Sequence, residues 1–383
     1  MASNPSPATT PLQQKITSII RADGPITFAR YMDLCLYDPE HGYYMHSADS
    51  SRRDYYTSAD LSPIFGRLIA CQLFEMWQLC GEPAEFTIVE AGAGSGALAI
   101  AILDFLSSAQ PAFYSALRYL TAEISPARRE SQSDLLAKHM RARRFSAHPA
   151  LPTQIHVGCI LSNELLDALP VHRVVQRGSA LKEIYVGLEG DSASRLIELE
   201  GGLSTPAMAD YFRTGGITLE SGQFAEAGLA AASWIESAGA ALQRGFAITI
   251  DYGREARELY DQLHMRGTAL AYFHHQASEN FYAAPGEQDL TAHVNFTALD
   301  LAASRTGLHR TGLVSQTNFL LAITRRYAAA LAPIFENSSD KENIRARLAF
   351  KSLLHPEGLG EAFSVLIHHK HLSAPHLSGL EPL

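Results

Sequence analysis

The stretch that decides the fold is Phe86-Thr-Ile-Val-Glu-Ala-Gly-Ala-Gly-Ser-Gly-Ala-Leu-Ala-Ile-Ala-Ile-Leu103. Its first residues form a short apolar run with β-branched side chains, which predicts a buried strand. Gly92, Gly94 and Gly96 follow at alternate positions, and strong helix formers come after them. Strand, glycine turn and helix in this order are typical of a turn that binds a nucleotide-type cofactor, because glycine lets a ligand approach the backbone closely.

Two carboxylates indicate which ligand this turn binds. A dinucleotide site has the spacing G-x-G-x-x-G, whereas the third glycine here arrives one residue early. Glu90 stands directly before the glycines, where it would repel a phosphate and attract an ammonium group. Glu123 ends the next predicted strand, where it can accept hydrogen bonds from both hydroxyls of a ribose. This combination favours S-adenosylmethionine (SAM); a purely structural turn and a nicotinamide or flavin site remain the alternatives.

The composition is that of a soluble globular protein with one large domain or two smaller ones. The chain has 383 residues, of which 46% are hydrophobic and 19% are charged. Its net charge of −9 argues against general nucleic-acid binding, which needs a basic surface. The four cysteines are scattered and contain no C-x-x-C pair, so we expect neither a disulfide framework nor a metal site.

We also recognise no targeting signal in the sequence. No apolar run reaches the length that spans a membrane, so we expect no membrane segment. The first dozen residues lack the basic start and apolar core of a signal peptide, and they lack the arginines of a transit peptide. The sequence therefore predicts a cytoplasmic protein.

Strand and helix signals alternate along much of the chain, which indicates a parallel sheet with helices on both faces. Four predicted strands end in polar or acidic groups, namely Glu90, Glu123, Asn163-Glu164 and Asp251-Tyr252. Ligands of open α/β sheets bind at the carboxyl ends of the strands. We therefore expect the first two groups to bind the cofactor and the last two to face the methyl acceptor. Downstream, residues 224–243 are predicted to form one helix.

The acceptor side offers groups that suit a nitrogen nucleophile. Asn163, Glu164 and Asp167 could hold a guanidinium, which is always charged in isolation, and orient one nitrogen toward the methyl group. For Asn163 the alternative is a cap at the strand end. For Asp167 it is a charge on a helix surface.

Several motifs together resemble one family, the MidA-like SAM-dependent methyltransferases, which includes the mitochondrial complex I assembly-factor arginine methyltransferase. The resemblance runs from about Ile26 to His369. The motifs are Tyr37-Asp-Pro-Glu-His-Gly-Tyr-Tyr44, Tyr56-Thr-Ser58, Phe65-Gly66, Glu90-Ala-Gly-Ala-Gly-Ser-Gly96, Asn163-Glu-Leu-Leu-Asp-Ala-Leu-Pro-Val-His172, Asp251-Tyr-Gly253 and Gly286-Glu-Gln-Asp-Leu-Thr-Ala-His293.

The resemblance implies an α/β fold of the class I Rossmann-like methyltransferase type, with a seven-stranded, mostly parallel sheet. Together with the pattern, it predicts an N-terminal tail and helical cap over residues 1–55. The SAM-binding core is expected over residues 56–172 and 245–370, with an inserted α+β subdomain over 173–244. Residues 371–383 are expected to form a C-terminal tail.

The resemblance also implies SAM as the methyl donor. Carried over by position, it assigns Glu90, Gly92, Gly94 and Glu123 to SAM binding, helped by Thr57 and Ser58, and Asn163 and Glu164 to the reacting centre. Together with the strand ends and the other motifs, this gives the full set of candidates. The cofactor-binding residues would be Thr57, Ser58, Glu90, Gly92, Ala93, Gly94, Gly96, Glu123, Ile124, Ser125 and Asn163. The catalytic residues would be Asn163, Glu164, Asp167 and Asp251. The substrate-contacting residues would be Tyr44, His172, Tyr252, Gln288, Asp289 and His293, and no metal ligand is expected.

We therefore expect a SAM-dependent methyltransferase that acts on an arginine side chain of a protein, with a respiratory-complex subunit as one candidate partner. Two alternatives stay open. The acceptor could be a small-molecule hydroxyl or amine, or the chain could be a SAM-binding assembly factor with little turnover. An apolar face on the inserted segment would allow a homodimer, although nothing in the sequence establishes one.

Overall fold

The computed structural model describes residues 10–45, 62–190, 195–273, 276–335, 341–355 and 362–382. Thr57 and Ser58, two of the expected cofactor residues, lie outside these ranges. The strands are β1 (Ile26–Thr27), β2 (Phe86–Ala91), β3 (Leu117–Ala122), β4 (Phe145–His148), β5 (Gly158–Asn163), β6 (His172–Arg177), β7 (Ala180–Leu188), β8 (Leu196–Gly201), β9 (Phe224–Ala227), β10 (Gly245–Arg254), β11 (Leu270–Phe273), β12 (Gln276–Ser278), β13 (Asp289–Thr291), β14 (Val294–Asn295), β15 (His309–Ser315) and β16 (Phe363–Lys370).

The α-helices are α1 (Pro11–Asp23), α2 (Phe28–Tyr37), α3 (Pro63–Leu79), α4 (Ala97–Ala109), α5 (Pro111–Ala116), α6 (Pro126–Leu135), α7 (Ala137–Arg141), α8 (Ala207–Thr214), α9 (Leu229–Ala241), α10 (Ala256–Leu259), α11 (Phe296–Ser304), α12 (Gln316–Arg326), α13 (Ala328–Phe335) and α14 (Lys341–Leu354). Short 3₁₀ turns cover Tyr43–Met45, Gln262–His264 and Ser378–Leu380.

The chain divides into two compact units, which are described separately. The first comprises Met1–Tyr55, Leu166–Ser233 and Arg254–Leu299, and the second comprises Tyr56–Leu165, Trp234–Gly253 and Asp300–Leu383. The helices of the expected cap and most of the expected insertion therefore belong to the same unit.

The second unit carries the central sheet. Its strands follow the order β15-β16-β10-β5-β2-β3-β4. All neighbours from β10 to β4 are parallel, while β16 is antiparallel to both of its neighbours. The predicted fold class, an α/β chain with a mostly parallel sheet, is confirmed. Among the residues that the structure describes, this path contains seven strands.

Helix α3 packs closely on the helix that follows the glycine turn. Ser62 caps α3 by accepting a hydrogen bond from the backbone N–H of Ile64, and Pro63 occupies the first turn, as the sequence pattern favours. A Cβ placed on Gly66 would stand 2.5 Å from the Cβ of Ala101 in α4, so glycine is what permits this approach.

The end of the chain is part of the same core. The backbone N–H groups of Ser378 and Gly379 donate to the side chains of Glu75 and Gln72 on α3, at 3.0 Å and 3.1 Å. Leu377 and Ser378 are buried. These residues were expected to form a tail, and the structure packs them against α3, where buried Gln72 and half-buried Glu75 accept hydrogen bonds from their backbone.

The first unit contains two smaller antiparallel sheets. One has the order β1-β7-β6-β9, with β8 paired to β7, and the other has the order β12-β11-β13. The prediction of one helix over residues 224–243 is wrong at its start, since Phe224–Ala227 pairs with β6 as strand β9 and α9 begins at Leu229. Pairing with β6 overrides the local helix preference of these residues.

Candidate functional site

The glycine turn in the second unit connects β2 to α4. Gly92, Gly94 and Gly96 have φ values of +68°, +54° and +80°, a region that residues with a Cβ rarely adopt. A Cβ on Gly92 would stand 2.8 Å from Cδ1 of Leu165. A Cβ on Gly94 would meet no described atom closer than 3.9 Å, so the turn presents open backbone at this residue.

Glu123 lies at the end of β3 and joins two parts of this site. Its carboxylate accepts hydrogen bonds from the backbone N–H of Gly94 through Oε2 and from that of Ser125 through Oε1, both at 2.9 Å. The side chain is buried. Because each carboxylate oxygen can accept more than one hydrogen bond, Glu123 can hold the turn and still accept from ligand hydroxyls.

Glu90 lies at the end of β2 and is buried in a less polar setting. The Tyr119 hydroxyl, on the neighbouring strand, donates to its Oε2 at 2.6 Å. Burial raises the pKa of Glu90 to about 8; the Tyr119 hydrogen bond lowers it in part, and the charge of Glu123 raises it. Glu90 is therefore mostly protonated near neutral pH, and a nearby cation would favour its ionised form.

Two residues of α6 support the turn, and the sequence reasoning missed both. Arg129 donates from Nη1 to the backbone oxygens of Glu123 and Ile124, at 2.7 Å and 2.8 Å. Gln132, which is fully buried, donates from Nε2 to the backbone oxygen of Gly94 at 2.9 Å. Their spacing of three residues puts them on one helix face, the only signal in the sequence that could have linked them.

The remaining cofactor candidates differ in their surroundings. Ser125 is buried and caps α6, since its Oγ accepts from the backbone N–H of Arg128. Ala93 is buried within the turn, and its backbone oxygen accepts from the N–H of Gly96 at 2.9 Å. Ile124 is 52% exposed directly after Glu123, an apolar surface that suits a flat ring.

Asn163 and Glu164 end the central strand β5. Asn163 Nδ2 donates to Glu164 Oε1 at 3.0 Å, while Asn163 Oδ1 is buried and has no hydrogen-bond partner in the described part of the chain. Glu164 has a φ of +53° although it is not glycine. Strain of this kind costs about 1–3 kcal/mol and persists where the surrounding structure imposes it, commonly at functional sites.

Asp251 and Tyr252 end the adjacent strand β10. The fully buried carboxylate of Asp251 accepts from the backbone N–H groups of Leu165 at 3.2 Å and Tyr252 at 2.9 Å. The first of these bonds holds the chain just after Glu164. The ring of Tyr252 packs against Phe363, with 3.8 Å between the ring centroids.

The residues of this unit fit SAM. The turn offers open backbone at Gly94, Glu123 has spare acceptor capacity, and Asn163 Oδ1 is a buried acceptor that still needs a donor. A ribose and an amino-acid ammonium group supply donors of the required kind.

The other acceptor-side candidates belong to the first unit. Tyr44 donates from its hydroxyl to Asp289 Oδ1 at 2.7 Å, and Asp289 is fully buried. Asp167 is also buried, and its backbone oxygen accepts from the N–H of Ala292 at 2.9 Å. The charges of Asp167 and Asp289 both raise the pKa of Tyr272, after the larger effect of burial, so the two carboxylates share one neighbourhood.

Gln288, His172 and His293 have structural contacts. The side chain of Gln288 bridges the N–H of Ala284 and the oxygen of Asn280 within its own loop. His172 Nδ1 lies 2.8 Å from the buried carboxylate of Glu183. Burial, together with smaller electrostatic effects of His264 and Arg254, lowers the pKa of His293 to about 4.

Comparison with known proteins identifies the family. Residues 68–314 match the model of a family described as "Putative S-adenosyl-L-methionine-dependent methyltransferase". The chain belongs to this family. Its methyl donor is SAM, and the predictions of a methyltransferase and of this cofactor are confirmed.

The methyltransferase is similar to curated proteins over nearly its whole length. It is 28% identical to a Rattus norvegicus protein named protein arginine methyltransferase NDUFAF7, mitochondrial, with 95% of this chain and 86% of the relative covered. It is 26% identical to the Drosophila melanogaster homologue, with 96% and 86% covered. These names confirm the expected resemblance.

A solved structure supports the same conclusion. A Burkholderia thailandensis protein, crystallised with bound S-adenosyl-homocysteine (SAH), is 28% identical and superposes with a TM-score of 0.83. The alignment covers 97% of each chain. The fold of the methyltransferase therefore matches that of a protein with the demethylated cofactor in place.

The predicted cytoplasmic location is wrong. The rat, fly and human relatives are all named mitochondrial, which contradicts it. Within the described ranges, no helix combines the length and apolarity needed to cross a membrane.

Proposed function

We propose that this methyltransferase transfers the methyl group of SAM to a guanidinium nitrogen of an arginine side chain in a protein. The observation that carries the proposal is similarity over 95% of the chain to relatives that are named protein arginine methyltransferases. The buried acidic groups of the chain support it, because a guanidinium is always charged and pairs with carboxylates.

The cofactor end is assigned to the carboxyl ends of β2, β3 and β5. Glu123 accepts hydrogen bonds from the ribose hydroxyls, and the open backbone at Gly94 allows the cofactor to approach. Asn163 Oδ1 and the carboxylate of Glu90 are assigned as hydrogen-bond acceptors for the ammonium group at the amino-acid end of SAM. The exposed side chain of Ile124 would offer the cofactor an apolar surface. Thr57 and Ser58 are assigned to this end by the family resemblance alone.

The acceptor end is assigned to Glu164 and its neighbours. SAM supplies an electrophilic methyl group. Glu164 orients the acceptor nitrogen and takes up its proton, and the hydrogen bond from Asn163 Nδ2 holds its carboxylate in place. Asp251 positions Glu164 by binding the N–H of Leu165. Asp167, and Asp289 with the Tyr44 hydroxyl bonded to it, belong to the first unit and are kept as candidate contacts of the charged substrate on their own.

Calorimetry with SAH tests the cofactor assignment. Glu123→Gln removes the charge and replaces one acceptor oxygen by a donor that faces the backbone N–H of Gly94 or Ser125. We expect SAH affinity to fall at least tenfold, the effect of about 1.4 kcal/mol. Glu85→Gln is the matched control, because it makes the same change at an exposed carboxylate of the same unit. Equal SAH affinity for wild type and Glu123→Gln would contradict the assignment.

Methyl transfer from labelled SAM tests the acceptor. The protein is incubated with a cell lysate and with isolated respiratory-complex subunits, and the products are hydrolysed and analysed for methylated amino acids. We expect label in methylarginine. Label confined to a small molecule would instead support the small-molecule alternative, and SAH binding without any transfer would support an assembly factor. Light scattering on the purified protein tests whether it forms the homodimer that the sequence leaves open.

A further inference from the structure

A buried glutamine holds the peptide group that follows the Cα of Gly94, and Glu123 holds the peptide group that precedes it. The N–H of Gly94 donates to Glu123 Oε2, and the C=O of Gly94 accepts from Gln132 Nε2, both at 2.9 Å. These two groups belong to the peptide planes on either side of the Gly94 Cα. Glu123 and Gln132 therefore set the orientation of both planes.

Gln132 is itself held in place. Its Oε1 accepts from the hydroxyl of Thr121 on β3 at 2.7 Å, so both ends of its amide are engaged and the amide orientation is defined. Gln132 and Thr121 are each fully buried. A Cβ on Gly96 would stand 3.1 Å from Cγ of Gln132, so the stem of the side chain also packs along the turn.

Gly94 needs such support because its own conformation is weakly determined. It has a φ of +54°, and a glycine gains more freedom than any other residue when its contacts are removed. If the turn samples several conformations, the apparent affinity for the ligand falls in proportion to the fraction of molecules that are in the binding-competent conformation.

We propose that Gln132 is a positioning residue for the SAM site, which presents the Gly94 backbone to the cofactor through the Thr121–Gln132–Gly94 chain of hydrogen bonds. The inference rests on the proposed cofactor assignment. Gln132 acts through Gly94 and has no assigned contact with the cofactor, so its removal is expected to weaken SAM binding more than the rate of the chemical step.

The test uses the complete chain and SAH as the probe. Gln132→Met keeps the length and packing of the side chain and removes both hydrogen bonds, and we expect the Kd for SAH to rise about tenfold. In the methyl-transfer assay, the KM for SAM is expected to rise with kcat changed less than twofold. Gln72→Met is the matched control, because Gln72 is equally buried in the same unit and bonds Gly379 and Glu75 instead. It should lower the Tm without changing the Kd.

A second pair of variants covers the case in which Gln132→Met does not fold. Thr121→Val removes only the hydroxyl that orients the amide, whereas Thr121→Ser keeps it. We expect Thr121→Val to raise the Kd for SAH about threefold, the effect of roughly 0.7 kcal/mol, and Thr121→Ser to restore the wild-type value.

The outcomes separate this inference from the proposed function. If Glu123→Gln weakens SAH binding while folded Gln132→Met and Thr121→Val bind as tightly as wild type, the positioning role is overturned and the cofactor assignment stands. If the Kd changes by the same factor in Gln72→Met as in Gln132→Met, the effect is general destabilisation and the inference also fails. Unchanged binding in Glu123→Gln would instead overturn the cofactor assignment itself.

Discussion

Replacing Glu90 by glutamine is predicted to change how the stability of the protein depends on pH. Glu90 is buried and accepts a hydrogen bond from Tyr119. Burial raises its pKa from the ordinary 4.5 to about 8, with an opposing effect from Tyr119 and a smaller increase from Glu123. The glutamine has nearly the same shape, can accept the same hydrogen bond from Tyr119 and does not titrate.

The direction of this pH dependence follows from the number of protons that the folded and the unfolded states bind. In the unfolded chain Glu90 loses its proton near pH 4.5, whereas in the folded chain it keeps the proton until about pH 8. Between these values the folded state binds one more proton, so the wild-type free energy of unfolding falls as pH rises and then levels off. One pKa unit corresponds to about 1.4 kcal/mol, which gives an upper limit of about 5 kcal/mol for the whole interval.

Denaturant unfolding of wild type and Glu90→Gln at intervals from pH 5 to pH 9 measures this effect. The stability of the variant relative to wild type should increase by several kcal/mol from pH 5 to pH 8 and stay constant above that. Glu85→Gln, at an exposed carboxylate, should give a flat difference. Parallel profiles for wild type and Glu90→Gln would refute the reasoning, because they would mean that Glu90 ionises in the folded state at an ordinary pH.

The remaining predictions concern the turn, the strand end and the first unit. Gly92→Ala should lower the free energy of unfolding more than Gly94→Ala, because both residues have positive φ but only the first would bring a Cβ within 2.8 Å of a neighbouring side chain; chemical denaturation compares them, and equal losses would contradict the crowding. Asn163→Ala should raise the Kd for SAH about tenfold, because it removes the buried acceptor Oδ1, and it should also lower the Tm, because the Nδ2 hydrogen bond to Glu164 is lost; unchanged calorimetric affinity would remove it from the cofactor site. Arg173→Met should cost about 3–5 kcal/mol, because buried Glu226 loses its cation and three aromatic rings lose a guanidinium, whereas Arg195→Ala at an exposed ion pair should cost under about 1 kcal/mol; similar losses in denaturation would argue against the buried cluster.

The sequence pattern predicted the strand, the glycine turn and the helix around Gly92, and the structure has β2 ending at Ala91 and α4 beginning at Ala97. It also predicted that acidic strand ends meet at one edge of a parallel sheet. Both inferences rest on local properties, since burial periodicity and glycine conformations depend on residues that are close together in the sequence. The family motifs indicated that SAM is the methyl donor. They could do so because each motif is a short, continuous stretch of sequence.

Contacts between residues distant in the sequence produced the two structural features that the sequence pattern did not predict. Residues 224–227 have helix-forming side chains and became a strand because β6 offered a partner. Ser378 and Gly379, expected to lie in a tail, pack against α3 because Glu75 and Gln72 accept hydrogen bonds from their backbone N–H groups. In each case a contact distant in the sequence outweighed a local preference.

Glu90 and Glu123 show most clearly which properties the sequence determined and which properties the tertiary structure decided. The sequence alone determined that both carboxylates stand at strand ends beside a glycine turn, and this was enough to favour SAM over a dinucleotide. Only the tertiary structure decided that Glu90 is buried against Tyr119 and mostly protonated, whereas Glu123 is held by backbone N–H groups and braced by Gln132 across Gly94. The reason is physical: a residue's type and position are local, but its ionisation and orientation depend on which distant groups surround it after folding.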